Sequence, residues 1–325
     1  MGLLRFRTRL FCYPRPERRR SGPYLGKGWR FSLVRDPKYR AGSAMAAVPF
    51  EIVISAHSLE RAQYAGSLLL AADSLANNAW SFFGDEIRVM PEDPPEDAGA
   101  RREHERFMAG KQGAASGLDF AVLLAARASH RRMYQYALFK MRLSYLLCSV
   151  HIMDLDPIHW SPGQAVSQFP AHHVALAYAL HAAYSAIEEL GLEIRASQKS
   201  PSMVDGRWNP VVLNDLRKRL QRRGVNLSES IVWDRRDTPT RVERQLAVES
   251  SRKAEWAYGK IRDTEIGIED AIRYASRLRS RVSSHRLPAL ASSLTHYDVS
   301  NVQLVARRLL MESLRCWRLS GGGDA

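Results

Sequence analysis

Read for period, the chain falls into helical stretches joined by polar loops that carry glycine and proline. Phe50 to Ser55 has a short strand pattern. From Leu59 to Phe83, apolar and small residues recur at helical spacing, and Gly84 ends the run. Residues 91–117 cluster Pro91, Pro94, Pro95, Gly99, Gly110, Gly113 and Gly117 among charges, which reads as a mobile loop. A long helix, with a break allowed, is expected from Leu118 to about Met153, ahead of Asp156-Pro157. Past Pro170 the pattern is continuous. One helix runs from about Ala171 to Leu190 and is closed by Gly191. A polar loop with Asp205-Gly206 and Asn209-Pro210 leads to a basic helix, Val211 to Arg223, ended by Gly224. Thr240 and Glu243 have capping-box spacing for a helix reaching about Lys260. Another helix is expected from Ile268 to His285, before Pro288. Ser300 and Gln303 form a second capping box for the last helix, to about Leu319. The expected fold is all-α, a helical bundle in the C-terminal half with at most one or two short strands near the N-terminus.

At 325 residues and 45% apolar, the chain is long enough for one large domain or two ordinary ones. Abundant Ala and Leu favour helix over sheet. The densest apolar stretch, Leu143 to Met153, contains His151 and is too short for a membrane span. Cys12, Cys148 and Cys316 are far apart, without metal or redox spacing, and read as reduced thiols in a cytoplasmic protein. The net charge of +14 is concentrated. Residues 1–44 hold 12 Lys/Arg against two acids, a net +10, which leaves about +4 for the rest. Arginine outnumbers lysine 40 to 8, which fits a GC-rich genome as well as phosphate binding. Residues 1–44 show no helical or strand periodicity and no secretory apolar core. They are expected to be a basic disordered tail or a wrongly assigned upstream start, with translation beginning at Met45; a basic RNA-binding arm is the alternative. The expected organisation then continues with a mainly helical region at 45–165, a helical bundle at 166–319 and a disordered tail at 320–325.

Two charges break the helical pattern. Ile268, Ala271, Ile272, Ala275, Leu278 and Val282 fall on one face at 100° per residue, with Arg273, Arg277 and Arg281 on the other. Arg279 lands between Ile268 and Ile272, with His285 at the edge of the stripe. A buried guanidinium cannot shed its charge and needs a carboxylate, an anion or a partner subunit. On the helix from Ala171, the arc of Val174, Ala177, Leu180, Tyr184 and Ile187 also holds His173, His181 and Glu188. A Glu188–Arg279 ion pair is the simplest expectation, and fixing the register of two helices would be its structural use.

The segment Leu278-Arg279-Ser280-Arg281-Val282-Ser283-Ser284-His285 resembles the motif of the HEPN superfamily (higher eukaryotes and prokaryotes nucleotide-binding domains). Its members carry an Arg, four to six residues and a His on a late helix of a small bundle. Five residues separate Arg279 from His285, and a final amphipathic helix follows. Tyr184 to Gly191 is similar to a HEPN core helix with its inward acid. The resemblance covers about residues 170–319. It implies metal-independent RNA cleavage by the substrate 2′-hydroxyl at a homodimer interface, where each subunit brings its own Arg and His. Histidine suits the proton transfer, and arginine suits a phosphate clamp. Arg279 and His285 would be catalytic, with Glu188, Ser280 and Arg281 supporting. Ser280 stands where catalytic members usually have Asn or another polar residue. Without catalysis, the implied role is dimerisation or binding of RNA or a nucleotide. An unrelated helical interaction protein is the third expectation.

Other features are explained more simply. His151, Asp154, Asp156 and His159 cluster at a helix end without a recognised ligand spacing. His172, His173 and His181 read as core or interface residues, so no metal and no cofactor is expected. Arg217, Lys218, Arg222 and Arg223 make a basic helix face, either solvated or in contact with RNA backbone. There is no Gly-rich phosphate loop, nucleophile elbow or zinc-finger spacing.

Overall fold

The computed structural model describes residues 3–13, 24–35, 48–78, 89–92, 96–102, 114–116, 118–153, 170–233, 252–256, 259–280, 294 and 296–317. The chain divides into two compact units, Met1–Arg142 and Leu143–Arg318. The first unit is built on a sheet. Its strands are β1 (Leu4–Tyr13), β2 (Tyr24–Gly26), β3 (Trp29–Arg35), β4 (Val48–Ala56), β5 (Met90–Pro91) and β6 (Ala114–Ser116). They run in the order β2-β3-β4-β1-β5, antiparallel, with β6 parallel to β1. The register aligns Phe6, Ile54 and Phe31 across three strands, and all three are buried. Period two therefore sends Phe6 and Thr8 inward, while Arg5 and Arg7 between them bind Glu92 of the loop after β5, Arg5 Nε at 2.7 Å.

Helices α1 (Leu59–Asn77) and α2 (Leu118–Ala128) pack on each other, α1 touching β4 and α2 touching β2. Ser58 caps α1 by accepting from Arg61 N, and Asn78 closes it in the left-handed conformation at φ 52°. Ala62, Ala65, Leu68, Leu69, Ala72 and Leu75 of α1 are all inaccessible to solvent. Helix α3 (Arg132–Met153) follows after Ser129–Arg131, so the expected long helix is two. Ser129 makes the break. Its hydroxyl donates to Ala126 O at 2.7 Å and accepts from Lys27 N at 2.8 Å, drawing the β2–β3 turn onto the helix end.

The second unit holds α4 (Pro170–Glu189), α5 (Pro210–Arg222), α6 (Ile268–Leu278) and α7 (His296–Ser313). Helix α7 packs on α4 and α6, and α5 packs on α6. Ser144 of α3 donates to Ala179 O at 2.7 Å and accepts from Gln303 at 2.9 Å. Strands β7 (Met203–Val204) and β8 (Arg207–Trp208) form a hairpin whose turn residues, Asp205 and Gly206, have φ 49° and 76°. Asn209 caps α5 with Pro210 in its first turn. Strands β9 (Ser230–Trp233), β10 (Arg252–Trp256) and β11 (Gly259–Gly267) form an antiparallel sheet in the order β10-β11-β9, with α6 against β9 and β11.

The all-α expectation is overturned: the protein is mixed α/β, with one large antiparallel sheet and two small ones. β1, β2 and β3 lie within residues 1–44, where no strand pattern was expected. The helix expected to reach Lys260 gives way to β10 and the start of β11, and Thr240 and Glu243 lie outside the described residues. The second capping box fails as well. Helix α7 begins four residues before Ser300, and the Gln303 side chain is spent on Ser144.

Candidate functional site

Helix α6 buries Ile268, Ala271, Ile272, Ala275 and Leu278 completely, as their spacing predicts. It ends at Leu278, and residues 279–280 turn with a wider, π-type pitch. Arg279 itself keeps helical dihedrals, φ −56° and ψ −48°, with its N–H on Ala275 O, so the backbone holds the expected angle and the long side chain carries its charge out to solvent. Its side chain is 41% exposed, not buried. Arg279 Nη2 lies 3.4 Å from Glu188 Oε1 of α4, and Glu188 is itself 35% exposed. The Arg279 guanidinium carbon sits 5.6 Å from the centre of the Tyr184 ring, one helical turn from Glu188. Burial raises the Tyr184 hydroxyl pKa, although Ser276 and Arg279 pull the other way, so the ring stays a neutral platform. Ser280 donates back to Arg277 O at 3.3 Å. The structure thus brings Arg279 and Glu188 together. Arg281 and His285 lie outside the described residues, as do the side chains of His151, Asp154, Asp156, His159, His172 and His173.

Arg273, expected in solvent, is buried at 9% exposure. Its guanidinium donates to Tyr274 Oη at 2.8 Å and lies 5.6 Å from the Trp208 ring, while Trp208 Nε1 donates to Asp270. On the basic face of α5, Arg217 is tied to the nearly buried Glu269 at 2.7 Å. Lys218 and Arg222 are exposed, and Arg223 is partly covered where its backbone caps the helix. These four do not form one uniform cationic surface, because Arg217 already holds a carboxylate. Helical spacing turns Leu213, Leu216 and Leu220 of this helix inward; Leu216 and Leu220 are buried, whereas Leu213 is only half-buried and Val212 is buried beside them.

The most deeply buried charge among the described residues of the second unit is Arg308 of α7, at 2% side-chain exposure. It binds Glu312 Oε1 at 3.1 Å and donates to Ser230 O, Asn226 O and Glu229 O. Glu312 also accepts from Asn226 N. Burial raises the Glu312 pKa against the pull of Arg308 and that amide. Every strong acceptor around Arg308 belongs to the fold, so this node ties α7 to the loop before β9 and is not open to a ligand. A second feature invisible to motif reading is a cavity in the first unit, between the β2–β3 turn, α1 and the start of α3. Its cations come from distant positions and share no spacing.

Among the described residues no group of His, Cys, Asp and Glu is placed to hold a metal ion. No described helix is long and apolar enough to cross a membrane. No family model matches the chain, and no curated protein or solved structure matches it either.

Proposed function

We propose that the second unit acts on RNA, with Arg279 as a phosphate contact, and that it is a metal-independent endoribonuclease of the HEPN type. The observation behind this reading is the state of Arg279. The side chain is oriented by Glu188 and the Tyr184 ring, yet two-fifths of it faces solvent. An ion pair that exposed contributes only about 0–1 kcal/mol to stability. Fixing helix register is therefore a weak reason for it, whereas an oriented cation that solvent reaches suits a phosphate.

In this mechanism the RNA 2′-hydroxyl attacks the adjacent phosphorus and the bond to the 5′-oxygen breaks. The products are a 2′,3′-cyclic phosphate and a 5′-hydroxyl. His285 takes the 2′ proton or delivers one to the leaving oxygen, and a second subunit supplies the complementary histidine. Arg279 offsets the charge that builds on the non-bridging oxygens, and Glu188 keeps its plane fixed.

The test is cleavage of single-stranded RNA in EDTA. Activity should vanish in His285→Ala and fall by ~100-fold or more in Arg279→Ala, as for loss of one charge-stabilising donor. Neither variant should lose more than ~1 kcal/mol of stability. Binding without turnover, weakened by Arg279→Ala, would make the unit a non-catalytic RNA module. Neither cleavage nor binding would end the reading.

A further inference from the structure

The cavity of the first unit has a volume of about 510 Å³, within the range of small-ligand sites. Three cations line it: Lys27 from the β2–β3 turn, Arg61 from the first turn of α1 and Arg132 from the start of α3. Among the described residues no carboxylate lines it, and neither Lys27 nor Arg61 has a carboxylate partner. Arg61 lies against the turn, because a Cβ built on Gly28 would stand 3.5 Å from its Nε. All three are exposed, so solvent screens their mutual repulsion, and an anion bridging them would remove what is left of it.

Much of the remaining wall is aromatic, with His130, Ser129 and Gln135 beside the rings. Tyr64, Tyr136 and Trp29 line the cavity, and Tyr136 is 44% exposed with Arg132 stacked 5.1 Å from its ring centre. Trp29 is 97% buried, given its 3% exposure, and its indole N–H has no hydrogen-bond partner among the described residues. The wall is also set in place. Tyr64 Oη donates to Gln135 Oε1 at 2.5 Å, and Gln135 Nε2 donates to Ser129 O at 2.6 Å. The ligand that matches cations on one side and planar rings on the other is a ring-bearing anion.

We infer that this cavity binds a nucleoside phosphate, its phosphate on Lys27, Arg61 and Arg132 and its base against Tyr136 and Tyr64. The site belongs to the first unit and does not depend on the ribonuclease reading, which concerns the second. Its ligand is a free mononucleotide, not a stretch of RNA, because the cavity volume suits a single base with its phosphates.

The test is calorimetric titration of the full-length protein with AMP, ADP, GMP and GDP, alongside adenosine, inorganic phosphate and a single-stranded oligoribonucleotide. At least one nucleotide should bind ~10-fold or more tightly than either adenosine or phosphate. Arg61→Ala and Lys27→Ala should each weaken that nucleotide by about tenfold. Tyr136→Ala, at an exposed position, should weaken the nucleotide by about fivefold or more while leaving phosphate unchanged. Circular dichroism establishes that each variant is folded. The inference is overturned if no nucleotide binds at millimolar concentration. It is also overturned if Arg61→Ala and Tyr136→Ala bind as wild type does, or if only the oligoribonucleotide responds to Arg61→Ala.

Discussion

The guanidinium of Arg308 and the carboxylate of Glu312 are one helical turn apart, enclosed by the loop that precedes β9. Removing the cation leaves an acid and three carbonyls without their donor, so Arg308→Met should cost ~3–5 kcal/mol in urea unfolding. The acid gives a pH readout in the same titrations. Its folded pKa lies above the ordinary 4.5, so the folded state binds the proton more tightly than the unfolded chain. Stability contributed by this group is present below 4.5 and is lost as pH rises through the raised value. The difference between wild type and Glu312→Gln should therefore decline across that window; a difference that grows with pH would show the acid to be held ionised. The residue pattern had contained this pair. Val305, Arg308, Leu309 and Glu312 share one face of α7 by helical spacing, the same argument that singled out Arg279. It misjudged the burial of Arg279 because spacing places a Cα on a face, whereas a long arginine side chain carries its charge from that face to solvent.

Among elements, the helices were legible where local caps and breakers coincide with the tertiary fold. Gly191 ends α4 at φ 69°, with Gly191 N bonded to Glu188 O and Leu192 N to Ile187 O. A Cβ there meets no atom within 4 Å, so Gly191→Ala should cost only the left-handed backbone strain, ~1–2 kcal/mol by urea denaturation. A loss of 4 kcal/mol or more would place a steric contact there that the structure lacks. The strands were less legible. In β1 the alternation Arg5-Phe6-Arg7-Thr8-Arg9-Leu10 was present, but arginine density was taken for a tail. In β10 and β11 polar residues occur on both parities, and the pairing of β11 with β9 spans 31 to 37 residues of sequence. Ser300 and Gln303 matched a cap because side-chain spacing alone cannot say which backbone or side chain a glutamine will reach.

For the whole molecule, the +14 charge is less available than it looks. Arg5 and Arg7 share Glu92, Arg217 holds Glu269, and Arg273 and Arg308 are enclosed. On the proposed RNA reading, affinity should accordingly depend on a few exposed cations. A plot of log affinity against log salt for single-stranded RNA should lose about 0.7 of slope per phosphate contact removed, so Arg279→Ala should flatten it by that amount. Arg308→Met, assayed where it remains folded, should leave the slope unchanged. Charge count and domain length were legible from composition. The pairing of those charges was not, because Glu92 and Glu269 reach their arginines across 85 and 52 residues.

Gly26 has a role beyond the β2–β3 hairpin. A methyl group built there would stand 2.2 Å from the indole ring of Trp29, inside its atoms. Any side chain at position 26 must evict that ring, and the ring is one wall of the cavity beside Lys27 and Arg61. A single hydrogen atom in a surface hairpin thus sets whether the pocket keeps its shape.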